Sequence, residues 1–277
     1  MTARPSTTVT LSGLFVYPVK GLKGIALSEA RCTDRGLEHD RRFMVVDADG
    51  GFLTQRSSPK MATVWTEIAG DVLSLSAPDM AELQVPLRPG AGERVRVKVW
   101  SSTCAALAVS RDADAWLSEY LGLACRLVYM PDDTRRDSNP RYAGPGKRVG
   151  FADGYAYLLA AEASLADLNT RLQARGQPAL PINRFRPNLV VSGSGAFAED
   201  RWKELRVGGA ILAAAKPCGR CEVTTTDQAT GEVRGPEPLA TLSTYRISGE
   251  FGVMFGMNLV TVREGKVRVG DTVEALQ

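Results

Sequence analysis

Histidine is nearly missing from this 277-residue chain: His39 is the only one. A Ser-His-Asp arrangement has little to be built from, so hydrolysis by a triad is poorly supported. The five cysteines, Cys32, Cys104, Cys125, Cys218 and Cys221, are an odd and scattered set. Such a set suits a reduced, cytoplasmic chain better than a disulfide framework. One C-x-x-C pair and one histidine leave a structural zinc site, which needs four nitrogen or sulfur ligands, short of donors. There is no four-cysteine pattern of ferredoxin type and no flavin fingerprint, so electrons for any redox chemistry must come from outside. No apolar run approaches the roughly 20 residues that span a bilayer. The start, Met1-Thr2-Ala3-Arg4-Pro5-Ser6, is followed by no apolar segment of the signal-peptide kind. A formal charge of +3 is too small to argue for nucleic acid or an anionic membrane. Gly146-Lys147 lacks the rest of the G-x-x-x-x-G-K-[ST] pattern, which removes a P-loop. No repeat at a fixed period is present.

What remains is ordinary for a soluble globular protein: 44% apolar and 23% charged residues, enough for a real core. The length fits one large domain or two intimately joined ones. Strands are expected over Thr8–Val19, Phe43–Val46, Phe52–Thr54, Met61–Ile68, Val72–Leu75 and Arg94–Trp100. The last alternates basic and apolar residues, one face wet and one packed. Asp112 is expected to cap a helix with Ala113, Trp116, Leu117, Tyr120 and Leu121 on one face. A second helix is expected from about Ser164 to Ala174, with Ser164 and Asp167 as a capping-box variant. Between them, Pro131 to Gly150 is irregular, rich in Pro, Gly and Arg, and reads as a lid or rim over a site. Asn183 to Asn188 leads into the apolar strand Leu189-Val190-Val191. Arg186, preceding Pro187, is expected to be extended and to present a fixed guanidinium suited to phosphate. Lys20, Gly21, Lys23 and Gly24 form a basic turn whose backbone N–H groups could serve an anion. Arg41 and Arg42 stand side by side before a strand, so only one can face a given cavity.

The chemistry concentrates at Lys216-Pro217-Cys218-Gly219-Arg220-Cys221, followed by Glu222-Val223-Thr224-Thr225-Thr226-Asp227. Val223 to Thr226 favour a strand, since β-branched side chains crowd a helix. A thioredoxin-like dithiol would need a helix there, and this run is a poor one. A thiol beside Arg220 has its thiolate favoured by the charge, and a thiolate suits a soft, redox-active metal. From spacing alone, a functional thiol and a pair of buried cysteines stay equally open. Asp227 reads as a turn-former ahead of Gly231, or as a proton relay.

These residues resemble the signature of the MOSC-domain family, and within it the amidoxime-reducing type of bacteria and mitochondria. The likeness runs through Tyr17-Pro18-Val19-Lys20-Gly21, Asp40-Arg41-Arg42-Phe43-Met44-Val45, Leu53-Thr54-Gln55-Arg56, Asp153-Gly154-Tyr155, Asn183-Arg184-Phe185-Arg186-Pro187-Asn188, the cysteine stretch and Phe255-Gly256-Met257-Asn258. It implies an α+β, mainly β protein. A β-barrel-like N-terminal domain (1–125) would pack on a MOSC β-barrel domain (126–277), with the site between them. It implies a molybdenum cofactor whose metal is bound by Cys221, with Cys218 nearby but not a ligand. Lys20, Arg42 and Arg186 would hold the phosphate and pterin, favouring Arg42 over Arg41. Gly154, Tyr155, Asn188, Arg220 and Asn258 would complete the cradle. Gly21 and Gly219 stand where relatives often have serine, and Asn258 where mitochondrial relatives have tyrosine. The implied reaction removes oxygen from an N-hydroxylated substrate, with a separate flavoprotein or ferredoxin-type electron donor. The mitochondrial relatives carry an N-terminal membrane anchor, and its lack points to a bacterial, cytoplasmic form. A sulfurtransferase using a Cys221 persulfide, or a carrier of the cofactor, are the rivals.

Overall fold

The strand Arg94–Val99 shows how the pattern becomes structure: Val97 and Val99 are buried while Arg94, Arg96 and Lys98 are exposed. It turns at Trp100 and pairs antiparallel with Ser102–Ala108. In the computed structural model, which describes residues 8–276, these two strands open a five-stranded sheet. It continues through Arg126–Tyr129, Phe43–Val46 and Val19–Lys20. The helix Arg111–Leu121 lays Ala113, Trp116, Leu117 and Tyr120 on this sheet, in one core with Val19, Phe43 and Leu127.

A nine-stranded sheet forms the rest of the frame. Its central strands are Ala210–Gly219, Gly252–Arg263, Tyr157–Ala161, Leu189–Ser192 and Thr10–Val16, in that order. Tyr157–Ala161 and Leu189–Ser192 are parallel, and the helix Glu162–Ala174 follows the first of them as their crossover. All five residues of Tyr157–Ala161 are buried, which accounts for its unbroken apolar run. The architecture is mainly β, with four α-helices among the described residues, as the sequence implies.

Strands early and late in the chain share sheets. Thr10–Val16 pairs with Leu189–Ser192, and Glu29–Thr33 pairs with Gly265–Arg268, so early strands complete the later sheets. Arg126–Tyr129 pairs with Phe43–Val46.

Several local expectations change. Pro59 starts a 3-10 helix over Pro59–Thr63, so the strand begins only at Trp65. Ser110, not Asp112, caps the first long helix, its Oγ accepting from the Ala113 N–H at 3.1 Å. The second helix starts at Glu162 with no side-chain cap. Ser164 instead donates its hydroxyl to the buried Glu199 at 2.8 Å. The segment Pro131 to Gly150 is not a loose lid. Arg136 donates to the carbonyls of Gly150, Ala152 and Asp153 at 2.7, 2.6 and 2.7 Å, and Lys147 donates to Thr261 O at 2.6 Å. Those bonds make it a strap that fixes the loop after it.

Candidate functional site

The strand Ala210–Gly219 runs into the cysteine pair and stops. Cys221 is extended, with φ −129°, and heads a 3-10 turn over Glu222–Thr225 instead of a strand. Its short turn closes when the Thr224 and Thr225 hydroxyls bond back to the carbonyls of Cys221 and Glu222 at 2.9 and 2.8 Å. Those local bonds outweigh the β preference of the Val-Thr-Thr-Thr run. Cys221 is exposed and Cys218 half-buried, whereas Cys32, Cys104 and Cys125 are buried. Burial pushes the Cys32 thiol up to about 12 and raises those of Cys104 and Cys125. The three are inert packing thiols, and the accessible sulfur lies at the C-x-x-C pair.

That pair opens on a cleft of about 920 Å³, continuous with solvent at its mouth. Lys20, Gly21, Gly154, Tyr155, Arg186, Asn188, Gly219, Arg220, Cys221 and Asn258 all line it. The walls come from both ends of the chain, Lys20 to Arg56 on one side and Ala152 to Asn258 on the other. Lys20 is buried and bonds the Asp153 carboxylate, which also accepts from the Trp100 indole at 3.1 Å. Arg186 is left-handed, φ +54°, not extended. The bond from its N–H to Asn183 O at 3.1 Å closes the turn that holds it so. Its guanidinium donates to Leu22 O at 2.6 Å and Gln228 Oε1 at 3.0 Å, over the Tyr17 ring. Burial pulls Arg186 down to about 10. In this backbone a Cβ at Gly219 would strike the Phe251 carbonyl oxygen, so glycine fits the close approach there. Asn258 donates to Pro217 O at 3.4 Å across the strand pair that carries the cysteines.

Two expected residues lie elsewhere. Arg42 faces a second cavity, donating to Met130 O and to Asp132 at 2.7 Å. Arg41 lines the cleft in its place. Its left-handed backbone, φ +45°, and the buried Asp40, 2.6 Å from its Nη1, turn it inward. Asp227 is absent from the cleft lining. Its carboxylate accepts from the N–H groups of Ala229 and Thr230 at 2.8 and 3.2 Å and from Arg184 at 3.2 Å. The Ala229 bond first, then that of Thr230 and the Arg184 charge, hold it below the usual carboxylate range despite some burial. These bonds make it the turn-former, and its carboxylate lies outside the cleft lining. Asn188 does line the cleft, but its amide is spent on Arg41, Leu158 N, Phe15 O and Asp40.

A model described as the MOSC N-terminal beta barrel domain matches residues 8–124, and one described as the MOSC domain matches residues 146–274. The chain is 34% identical over 283 residues to mitochondrial amidoxime-reducing component 1 of Mus musculus, covering 96% of this chain and 82% of that protein. It is 32% identical to the Homo sapiens protein of that name, covering 96% and 83%. It is also 32% identical to mitochondrial amidoxime reducing component 2 of Rattus norvegicus, covering 95% and 82%. The chain belongs to the MOSC-domain family.

Three features of this MOSC protein's cleft escape sequence reasoning. Arg136 pins the Asp153 loop through carbonyls, and an arginine in an irregular segment carries no mark of that role. Gln55 and Gln228 exchange amide hydrogen bonds at 3.1 and 2.7 Å beneath the cleft, 173 residues apart. Asp153 belongs to the Asp153-Gly154-Tyr155 motif, yet nothing local names Lys20 as its partner.

Proposed function

We propose that this MOSC protein is a molybdenum-cofactor-dependent oxidoreductase acting on N-hydroxylated compounds: amidoximes, hydroxylamines and N-hydroxylated bases. The observation that carries the reading is one exposed thiol, Cys221, facing a cleft whose floor gathers Lys20, Arg41, Arg186 and Arg220. Relatives named for amidoxime reduction support the reaction class.

The donor set fits such a group. Among the described residues no cluster of three or more His, Cys, Asp or Glu side chains forms a metal site, so a metal held by Cys221 brings its other ligands with it. Cations in a largely protein-walled cleft suit a phosphate-bearing pterin. Arg220 adds a buried Nε with no partner in the protein, a donor left over for a ligand. A Cβ built on Gly154 meets nothing within 4 Å, so the backbone there is open to close approach.

Cys221 would supply the thiolate ligand. Lys20, Arg41 and Arg186 would hold the anionic end, with the backbone at Gly154 and Tyr155, Arg220 and Asn258 along the ring system. When bound, the cofactor supplies the two-electron chemistry that takes the oxygen from the substrate. The protein orients it and keeps the thiol at the mouth, where a small molecule can enter. Electrons come from a separate flavoprotein or ferredoxin-type reductase. Five free thiols fit a reducing compartment such as the cytoplasm.

The test is protein made in cells that synthesise molybdopterin. Molybdenum and a released fluorescent pterin are expected at near-stoichiometric amounts, with viologen-driven reduction of benzamidoxime. Cys221→Ala should abolish turnover, while Cys218→Ala should be milder. Parent activity in Cys221→Ala sinks the ligand role. Metal-free protein carrying a persulfide points to sulfur transfer, and loaded protein that never turns over is a carrier.

A further inference from the structure

The basic groups of the cleft are not equally available. Arg41 is tied to Asp40, whose side chain is 1% exposed and also accepts from Tyr17 N and Asn188 Nδ2 at 2.9 and 3.0 Å. Arg186 is tied to a carbonyl and a buried amide. Arg220 donates to Phe185 O at 2.7 Å and to the Cys218 sulfur at 2.9 Å. Asp40, Leu22, Gln228 and Phe185 are buried, so these partners cannot leave without opening the core; only the Cys218 sulfur is half-buried. Lys20 differs. Its ammonium, buried and 4.8 Å from the Phe52 ring centre, meets one carboxylate, and that carboxylate belongs to Asp153, whose side chain is 69% exposed. The Asp153 side chain therefore faces solvent, and the next residue, Gly154, has open space where a Cβ would point.

We infer that Asp153 is a built-in competitor for the anion received at Lys20: a tethered carboxylate that a phosphate group must displace. A buried ammonium needs a counter-charge, and a carboxylate on a solvent-facing loop provides an exchangeable one. Burial depresses the Lys20 ammonium, and the Asp153 charge opposes that. Trp100 restrains the Asp153 side chain, because its indole N–H grips the same carboxylate oxygen. The Trp100 backbone is left-handed at φ +56° and its ring stacks under Arg56 at 4.6 Å. Such a conformation for a bulky residue persists only where its surroundings enforce it. Asp153 thus acts on ligand affinity, while Lys20 makes the contact. The inference rests on the reading of the cleft as an anion site and needs none of its redox chemistry.

The test uses full-length protein from cells unable to make the pterin, titrated with inorganic pyrophosphate by calorimetry at neutral pH. Asp153→Asn keeps the shape and removes the competing charge, so pyrophosphate should bind about tenfold tighter than to the parent. Asp153→Ala should gain similarly, which guards against a misfolded variant. Lys20→Met, alone or combined with Asp153→Asn, should lose that binding. Unchanged or weaker binding in both Asp153 variants, or undiminished binding in the Lys20→Met double variant, overturns the inference. If the holoprotein proves to hold no molybdenum while Asp153→Asn still gains pyrophosphate, the reductase reading falls and the competitor stands.

Discussion

At the scale of single residues, two adjacent arginines carry different loads. Arg41 compensates a carboxylate sealed in the core, and Arg42 pairs with Asp132, whose side chain is 88% exposed. Arg41→Gln leaves Asp40 uncompensated, and removal of one partner of such a pair costs about 3–5 kcal/mol. The expected outcome is a clear fall in Tm together with loss of bound pterin. Arg42→Gln gives up an exposed pair worth about 0–1 kcal/mol, along with its bonds to Met130 O. It should keep the parent's pterin content. Thermal melts and pterin release on the two variants check this, and equal pterin loss in both would contradict the assignment. The same contrast explains a limit on motif reading. Alternation says that one of the pair faces inward but not which, because the choice is made by Asp40 and a left-handed backbone at Arg41.

At the scale of elements, the helix Glu162–Ala174 is tied to the short 3-10 turn Ala198–Arg201 by Glu199. This carboxylate is fully buried and accepts from the Ser164 hydroxyl at 2.8 Å and from Ala161 N–H at 3.3 Å. Burial raises its pKa, with the Ser164 and backbone bonds offsetting only part. A carboxyl whose folded pKa lies above its unfolded value binds its proton more tightly when folded. Its contribution is complete below the unfolded pKa and is lost as pH rises through the folded pKa. Glu199→Gln keeps an acceptor for Ser164 and removes the titration. The Tm difference, variant minus parent, should therefore grow between pH 4.5 and pH 7. A difference that is flat or shrinks with pH across that range would show that Glu199 is not held with a raised pKa. The strap from Pro131 to Gly150 also belongs at this scale. Its prolines and glycines mark irregular backbone in the sequence, but its rigidity comes from Arg136 and Lys147 reaching carbonyls on other segments.

At the scale of the whole molecule, the cleft exists because early and late strands share sheets, and Gln55 and Gln228 tie the two sides beneath it. Arg186 bonds the same Gln228 oxygen, so the amide pair also supports a cleft cation. Gln55→Leu and Gln228→Leu should each destabilise, and the double variant should lose less than the sum. The expected coupling is about 0.5–3 kcal/mol, read from denaturant melts of the four proteins, and strict additivity would deny the link. Much of this molecule is decided by its sequence acting locally. The strand periodicities, the apolar stripe of Arg111–Leu121, the C-x-x-C spacing and the ordered motifs of the MOSC family act through side chains a few residues apart, or through residue identity alone. The tertiary structure alone decided that Arg41 and not Arg42 lines the cleft and that Lys20 meets a carboxylate 133 residues away. Those outcomes depend on which distant carbonyls, carboxylates and rings share a buried space, and local preference, worth a few tenths of a kcal/mol to about 1 kcal/mol per residue, is too weak to choose among them.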